Sequence, residues 1–232
     1  MKTIGLVGGI SWVSSLEYYR LFNEIANQRL GGNETVRIIL CSVNFGEVVT
    51  LTKAGRWDAL ARIMIDAATQ TINAGADCVL LGANTMHHIA DEVQASIGAP
   101  LLHIADTTAA AIVKQPITTV ALLGTRYTML FDFYKKRLAG YGIETLVPEP
   151  EEIDFVNEAI YEEMGKGKFL PATKQRFIEL IAALAERGAE GVILGCTEIP
   201  ILVKQEDVGI PVFDTTYLHA AAAVDFALQN AD

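Results

Sequence analysis

The segment Gly195-Cys196-Thr197-Glu198 sets a thiol, a hydroxyl and a carboxylate on consecutive residues directly after an apolar run. A thiol at a strand end that opens a helix meets exposed backbone N–H groups and the positive end of the helix dipole. Both lower a thiol pKa and make it a usable base or nucleophile, so Cys196 is the first candidate for chemistry. The competing reading is a small buried hydrophobe, a common fate of free cysteine, and position alone does not separate the two. Cys41, near the end of one apolar run, and Cys78, at the start of another, read as core packing. Three cysteines at irregular spacing make neither a disulfide framework nor a metal-ligand set.

Three further segments carry polar groups just past apolar runs. In Leu81-Gly82-Ala83-Asn84-Thr85-Met86-His87, the side chains of Asn84 and Thr85 can donate to a carboxylate, or simply cap a helix. Thr125 with Thr128, and Thr197, pose the same choice. Gly8-Gly9-Ile10-Ser11-Trp12 is a glycine turn after the first apolar run. It does not match G-x-G-x-x-G, and Val43-Asn44-Phe45 offers no acidic residue after the second run, so no dinucleotide cofactor is expected. The Ser11 hydroxyl and the N–H groups ahead of a helix at Ser14 suit one small carboxylate better. His87 and His88 are adjacent, so they cannot share a helix face, and no metal site is expected.

These segments must be held by strands and helices. Short apolar runs alternate with longer amphipathic ones, the βαβ pattern of a parallel sheet flanked by helices. Expected strands are Thr3–Val7, Arg37–Val43, Cys78–Leu81, Leu101–Ile104, Thr119–Leu123, Gly191–Leu194 and Pro211–Phe213. Leu21, Phe22, Ile25, Ala26 and Leu30 follow helical spacing, as do Leu60, Ile63, Met64, Ala67 and Ala68, and Phe177, Leu180, Ile181 and Leu184. Gly75 and Gly188 stand where a helix would end and turn into the next strand.

The chain also repeats itself. Thr3-Ile-Gly-Leu-Val-Gly8 reads like Thr119-Val-Ala-Leu-Leu-Gly124, and Gly75-Ala-Asp-Cys-Val-Leu-Leu-Gly82 like Gly188-Ala-Glu-Gly-Val-Ile-Leu-Gly195. Gly98-Ala-Pro-Leu-Leu with Asp106-Thr-Thr108 reads like Gly209-Ile-Pro-Val-Phe-Asp214-Thr-Thr216. Three matches in one order, at an offset that varies by only a few residues, imply two copies of one α/β unit set. The expected division is residues 1–104 plus about 212–232 as a first α/β half and 105–211 as a second. The two halves would be related by a pseudo-twofold axis. Ligands of parallel sheets bind at the carboxyl ends of strands, so the matched strand ends are expected to converge, Ala83 facing Cys196 across a small polar pocket.

Composition bounds the function. Apolar residues make up 51% and charged residues 20%, suiting a packed globular chain. The net charge is −10, with no basic cluster, so neither nucleic acid nor an anionic membrane surface is an expected partner. The N-terminus lacks a signal-peptide pattern and no run approaches a membrane span, so the cytoplasm is the expected location.

The segments Ile4-Gly-Leu-Val-Gly-Gly-Ile-Ser-Trp-Val-Ser-Ser-Leu-Glu-Tyr-Tyr-Arg-Leu21, Asn84-Thr-Met-His87, Leu122-Leu-Gly-Thr-Arg-Tyr-Thr-Met129 and Gly195-Cys-Thr-Glu198 together resemble the aspartate/glutamate/hydantoin racemase superfamily. Within it they are most similar to the L-aspartate/glutamate-specific racemases of enteric bacteria. The resemblance implies an amino-acid racemase that needs neither pyridoxal phosphate nor any other cofactor and acts on an acidic or small amino acid as a homodimer. One thiol from each half flanks the substrate α-carbon, one removing the α-proton and the other returning a proton. Cys196 matches the second-half thiol, whereas Ala83 stands where relatives commonly carry the first. A single-cysteine decarboxylase or isomerase of a malonate-like acid, or a carboxylate-binding protein without catalysis, are the alternatives. Inversion would then draw on water or a group such as His87 on the face without a thiol. For substrate contacts the resemblance implies Ile10, Ser11, Thr52, Asn84, Thr85, Thr125, Thr197 and Glu198. In some relatives a basic residue near Lys166 binds the substrate carboxylate.

Overall fold

The computed structural model describes residues 1–229. Its chain divides into two compact units, residues 1–103 with the chain from His219 onward, and Ile104–Leu218.

The first unit contains strands β1 (Thr3–Gly8), β2 (Arg37–Ser42) and β3 (Cys78–Leu81), all parallel in the order β2-β1-β3. Helices α1 (Trp12–Leu30), α2 (Phe45–Lys53), α3 (Trp57–Asn73) and α4 (Ala90–Ser96) connect and cover them. Side chains alternate along the central strands. Ile4, Leu6, Cys78 and Leu80 pack against Leu21, Phe22, Ile25 and Ala26 of α1, while Val7, Val79 and Leu81 pack against Leu60, Met64, Ala67 and Ala68 of α3. Both faces are therefore apolar, which explains why β1 and β3 read as unbroken hydrophobic runs. Each such Leu, Ile or Phe side chain contributes about 1.5–3 kcal/mol by leaving water.

The second unit holds α5 (Ile104–Ile112), β4 (Thr119–Gly124), α6 (Arg126–Leu130), α7 (Asp132–Gly140), β5 (Glu144–Leu146) and α8 (Pro150–Glu158). A π-helical turn, Ala159–Glu163, follows α8. Then come α9 (Pro171–Glu186), β6 (Gly191–Gly195), the four-residue α10 (Ile199–Leu202) and β7 (Val212–Asp214), after which α11 (Thr215–Leu228) starts in this unit and continues in the first from His219. The sheet is again parallel, β5-β4-β6-β7. Ala121, Leu123, Val192 and Leu194 pack under Phe177, Leu180, Ile181 and Leu184 of α9, and Val120, Leu122, Ile193 and Phe213 under α5 and α7.

The internal repeat is visible in local detail. Asp77 Oδ2 accepts the Thr3 N–H at 2.6 Å, pinning the start of β1. Glu190 Oε2 does the same at the start of β4, accepting the N–H groups of Thr118 at 2.7 Å and Thr119 at 3.0 Å. Gly75 and Gly188, just past the ends of α3 and α9, share φ 105°, a backbone angle that only glycine adopts without strain.

Three expectations are corrected. Leu101–Ile104 is not a strand: only Leu101 bridges to Val79, and α5 begins at Ile104. The last strand is Val212–Asp214, and it pairs with β6, so the chain stays in the second unit until Leu218 rather than leaving it at about 212. Residues 230–232 of the expected first half lie outside the described residues. The first helix opens at Trp12, not Ser14, because Ser11 is its cap.

Candidate active site

In the second unit, Gly124 and Gly195 are register partners on β4 and β6, so Thr125 and Cys196 each begin the loop after one of two adjacent strands. Loops at the carboxyl ends of adjacent parallel strands are the usual binding edge of such a sheet. Cys196, Thr197 and Glu198 are all buried. The Cys196 thiol donates to Glu198 Oε2 at 2.9 Å and the Thr197 hydroxyl donates to the same oxygen at 2.8 Å. Burial, and then the Glu198 charge, hold the thiol well above its ordinary pKa. The expectation of a thiol lowered by a helix N-terminus is thereby overturned. Helical backbone begins only at Ile199 and lasts one turn, so its dipole is short, while the carboxylate two residues away favours the protonated thiol.

Thr125 is the cap of α6, its hydroxyl accepting from Thr128 N at 3.4 Å and lying 3.2 Å from the Thr128 hydroxyl. Tyr161 was not foreseen. Burial raises its hydroxyl pKa, and the charges of Cys196, Tyr127 and Glu198 raise it further, which places the phenol in the electrostatic reach of the thiol and the carboxylate. It sits in the π-helical turn, a bulge that single-sequence periodicity does not announce. Lys166, one turn later, pairs with Glu162 in an exposed ion pair.

In the first unit, the loop after β1 turns at Gly9, whose φ is 75°. Gly9 N–H donates to the Ser15 hydroxyl at 2.8 Å, the Ser15 hydroxyl donates to the Ser11 carbonyl at 3.1 Å, and the Ser11 hydroxyl accepts from Ser14 N at 3.4 Å. Ser11 is thus both cap and loop brace. Ile10 is buried in the α3-side core, against which Ala83 also packs. Thr52 is buried in α2 and donates to the Val48 carbonyl at 2.7 Å, a backbone role that the sequence does not reveal.

The loop after β3 carries Ala83, Asn84 and Thr85. Asn84 and Thr85 are buried, and they lead into a five-residue 3-10 turn, Thr85–Ile89, not an α-helix, so no extended helix dipole supports an anion there. His87 lies buried inside this turn, its Nδ1 3.0 Å from the Ala83 carbonyl, while His88 turns the other way to stack edge-on against Trp57 at 4.7 Å. The structure therefore joins Cys196, Thr197 and Glu198 directly. It sets Thr125 on the strand-end loop beside them, and it places Ile10 and Ser11 on one loop of the first unit and Ala83, Asn84 and Thr85 on the next.

Residues 7–223 match the family described as Asp/Glu/Hydantoin racemase. A candidate Asp/Glu racemase of Yersinia pestis shares 44% of residues, covers 99% of this chain and 100% of its own, and superposes with a TM-score of 0.91. An aspartate racemase homologue of Pyrococcus horikoshii OT3 is 37% identical, with coverage of 98% and 99% and a TM-score of 0.86. The broad specificity amino-acid racemase RacX of Bacillus subtilis (strain 168) is 26% identical over 72% of each chain. With strand-end loops that bear these motifs in both units and a match over nearly its whole length, the chain belongs to the Asp/Glu/hydantoin racemase family.

Proposed function

We propose that this protein inverts the α-carbon of an acidic or small amino acid without a cofactor, with Cys196 transferring a proton on one face. The observation that supports this most is the buried Cys196–Glu198 hydrogen bond. A protonated thiol is a ready donor to a carbanion, and Glu198, already in contact with it, can take the thiol proton when the sulfur must act as base. Ser11, Asn84, Thr85, Thr125 and Thr197 are each buried polar residues whose hydroxyl or amide can hydrogen-bond a carboxylate. The proposal extends to a homodimer, which the sequence resemblance implies, in the cytoplasm. A second reading, a decarboxylase that protonates one face of a malonate-derived enediolate, is favoured by Ala83, whose side chain has no titratable group.

The test is exchange of the α-proton in deuterated water, run on L- and D-aspartate, L- and D-glutamate and smaller amino acids. Wild type should exchange at least one enantiomer, and Cys196→Ser and Cys196→Ala should lose about 10²-fold or more of that rate while remaining folded. Exchange that survives both substitutions removes Cys196 from the mechanism. No exchange with any amino acid, together with decarboxylation of a substituted malonate, turns the assignment to the second reading.

A further inference from the structure

We propose that Tyr161 is a positioning residue for proton transfer at Cys196, its phenol donating a hydrogen bond to the sulfur once the thiol has given up its proton. The inference rests on the reading of Cys196 as a proton-transfer group, and every residue it uses lies in the second unit.

A thiolate at position 196 is poorly served by the resting structure. The thiol donates to Glu198 Oε2 at 2.9 Å, and a carboxylate that accepts from S–H repels S⁻. The backbone N–H groups of Glu198 and Thr197 favour the thiolate, but burial and the Glu198 charge outweigh them. What the site needs is a further donor that brings no negative charge of its own.

The chain builds a place for one. α8 ends at Glu158 and runs straight into the π-helical turn Ala159–Glu163. Ala159, Ile160 and Met164 bury their side chains in the same core as Cys196 and Ile199, so the turn and the thiol loop share one packing unit. Gly165 permits the turn: a Cβ there would lie 2.9 Å from the Ile160 carbonyl oxygen, a backbone atom that no side-chain rotation moves aside. π turns are rare and concentrate at functional sites. Tyr161, next to Ile160, is half-buried and lies in the field of Cys196, Tyr127 and Glu198. Among the described residues its hydroxyl has no hydrogen-bond partner, whereas a buried phenol usually finds one. Burial and those three neighbours keep it protonated, and a neutral phenol is a donor. When the S–H bond breaks, the sulfur becomes the acceptor that the phenol lacks. The Tyr161 O–H bond stays intact throughout.

Full-length Tyr161→Phe removes the hydroxyl and keeps the ring. Alkylation of Cys196 across pH, read by peptide mass spectrometry, gives the thiol midpoint. Exchange of the α-proton, with the amino acid that wild type handles fastest, gives kcat and KM. The expected result is a midpoint moved upward and a kcat lowered by about tenfold or more, the scale of one hydrogen bond to a charged group, with KM and the urea midpoint near wild type. A merely structural role gives the opposite sign. Burial is the largest cause that holds the thiol up, so a loosened site lowers the midpoint. Gly165→Ala forces the π turn to shift with the tyrosine still present, and it should raise the midpoint as well. A Tyr161→Phe midpoint that stays at the wild-type value or falls overturns the proposal. If Tyr161→Phe does not fold, Gly165→Ala decides in its place by the same signs. If wild type exchanges no amino acid, the racemase reading fails, while the alkylation midpoint still decides the role of Tyr161.

Discussion

Cys196 Sγ donates to Glu198 Oε2 at 2.9 Å, two residues along the same loop, with both side chains buried. A carboxylate this close opposes the formation of a second negative charge, so the resting thiol is held protonated. The same contact gives the thiol proton a place to go. Glu198 thereby sets two quantities in opposite senses: it makes the thiolate harder to form in isolation and easier to form by direct transfer.

Replacing Glu198 by Gln separates the two. The thiol pKa should fall, because the second-largest cause of its elevation is removed while burial stays. Alkylation of Cys196, followed by peptide mass spectrometry to distinguish it from Cys41 and Cys78, should move its pH midpoint downward. Amino-acid α-proton exchange should nevertheless slow by about 10²-fold, the scale of a lost general base. A midpoint that stays or rises would show that the Glu198 charge does not hold the thiol protonated.

The first unit should be acid-sensitive through His219. Burial, then the neighbouring His87, push this histidine down to about 3 from an ordinary 6.5. The folded chain keeps it neutral while the unfolded chain protonates it. Its contribution is therefore complete above about pH 6.5 and declines as pH falls toward about 3, with a limiting slope of about 1.4 kcal/mol per pH unit. Urea denaturation at several pH values should show that slope in wild type and a shallower one in His219→Gln. Glu190 provides the contrast. Hydrogen bonds from Thr118 and Thr119 lower its carboxyl from an ordinary 4.5, so its contribution holds above that value and is lost only as pH falls below it. Glu190→Gln should leave the profile between pH 6.5 and 4.5 unaltered.

How much of this could be read in the residues depends on how local the cause is. β1 and β4 are unbroken apolar runs bounded by glycine, and their matched neighbours Asp77 and Glu190 follow glycines at the same place in each repeat, so the two-unit fold was legible. The run Leu101–Ile104 misled because Pro100 and Leu102 supply only a single ladder contact, at Val79, before Ile104 turns into a helix. β5 escaped notice because three residues carry no period. Gly195-Cys196-Thr197-Glu198 reads as a thiol lowered by a helix start, whereas burial and the Glu198 charge hold it up. A strand followed by polar residues looks like a helix start, and no local pattern encodes the turn that brings the Glu198 carboxylate back onto the sulfur. The contacts of His219 with Tyr18 and Leu102 join residues more than a hundred positions apart, and no local pattern encodes them.

The turn that presents Ile10 and Ser11 gives the last prediction. Gly9 and Gly31 have nearly the same φ, 75° and 77°, so an L-residue at either position is strained, by about 1–3 kcal/mol. Their surroundings differ. A Cβ on Gly31 has nothing within 4 Å, whereas one on Gly9 would lie 2.2 Å from the Val43 carbonyl oxygen and 2.7 Å from the Val43 nitrogen. Those are backbone atoms tied to β1 through the bond from Val43 N to the Gly8 carbonyl at 2.9 Å, so no side-chain rotation relieves the clash. Gly31→Ala should thus cost no more than the backbone penalty. Gly9→Ala should add an overpacking cost of about 1–3 kcal/mol and shift the first loop, or the end of β2, away from its place. Urea midpoints of the two variants give the comparison, and α-proton exchange reads the loop. Equal destabilisation by both substitutions would mean that the β1 loop can move aside, and that its tight contact with Val43 does not hold Ile10 and Ser11 in position.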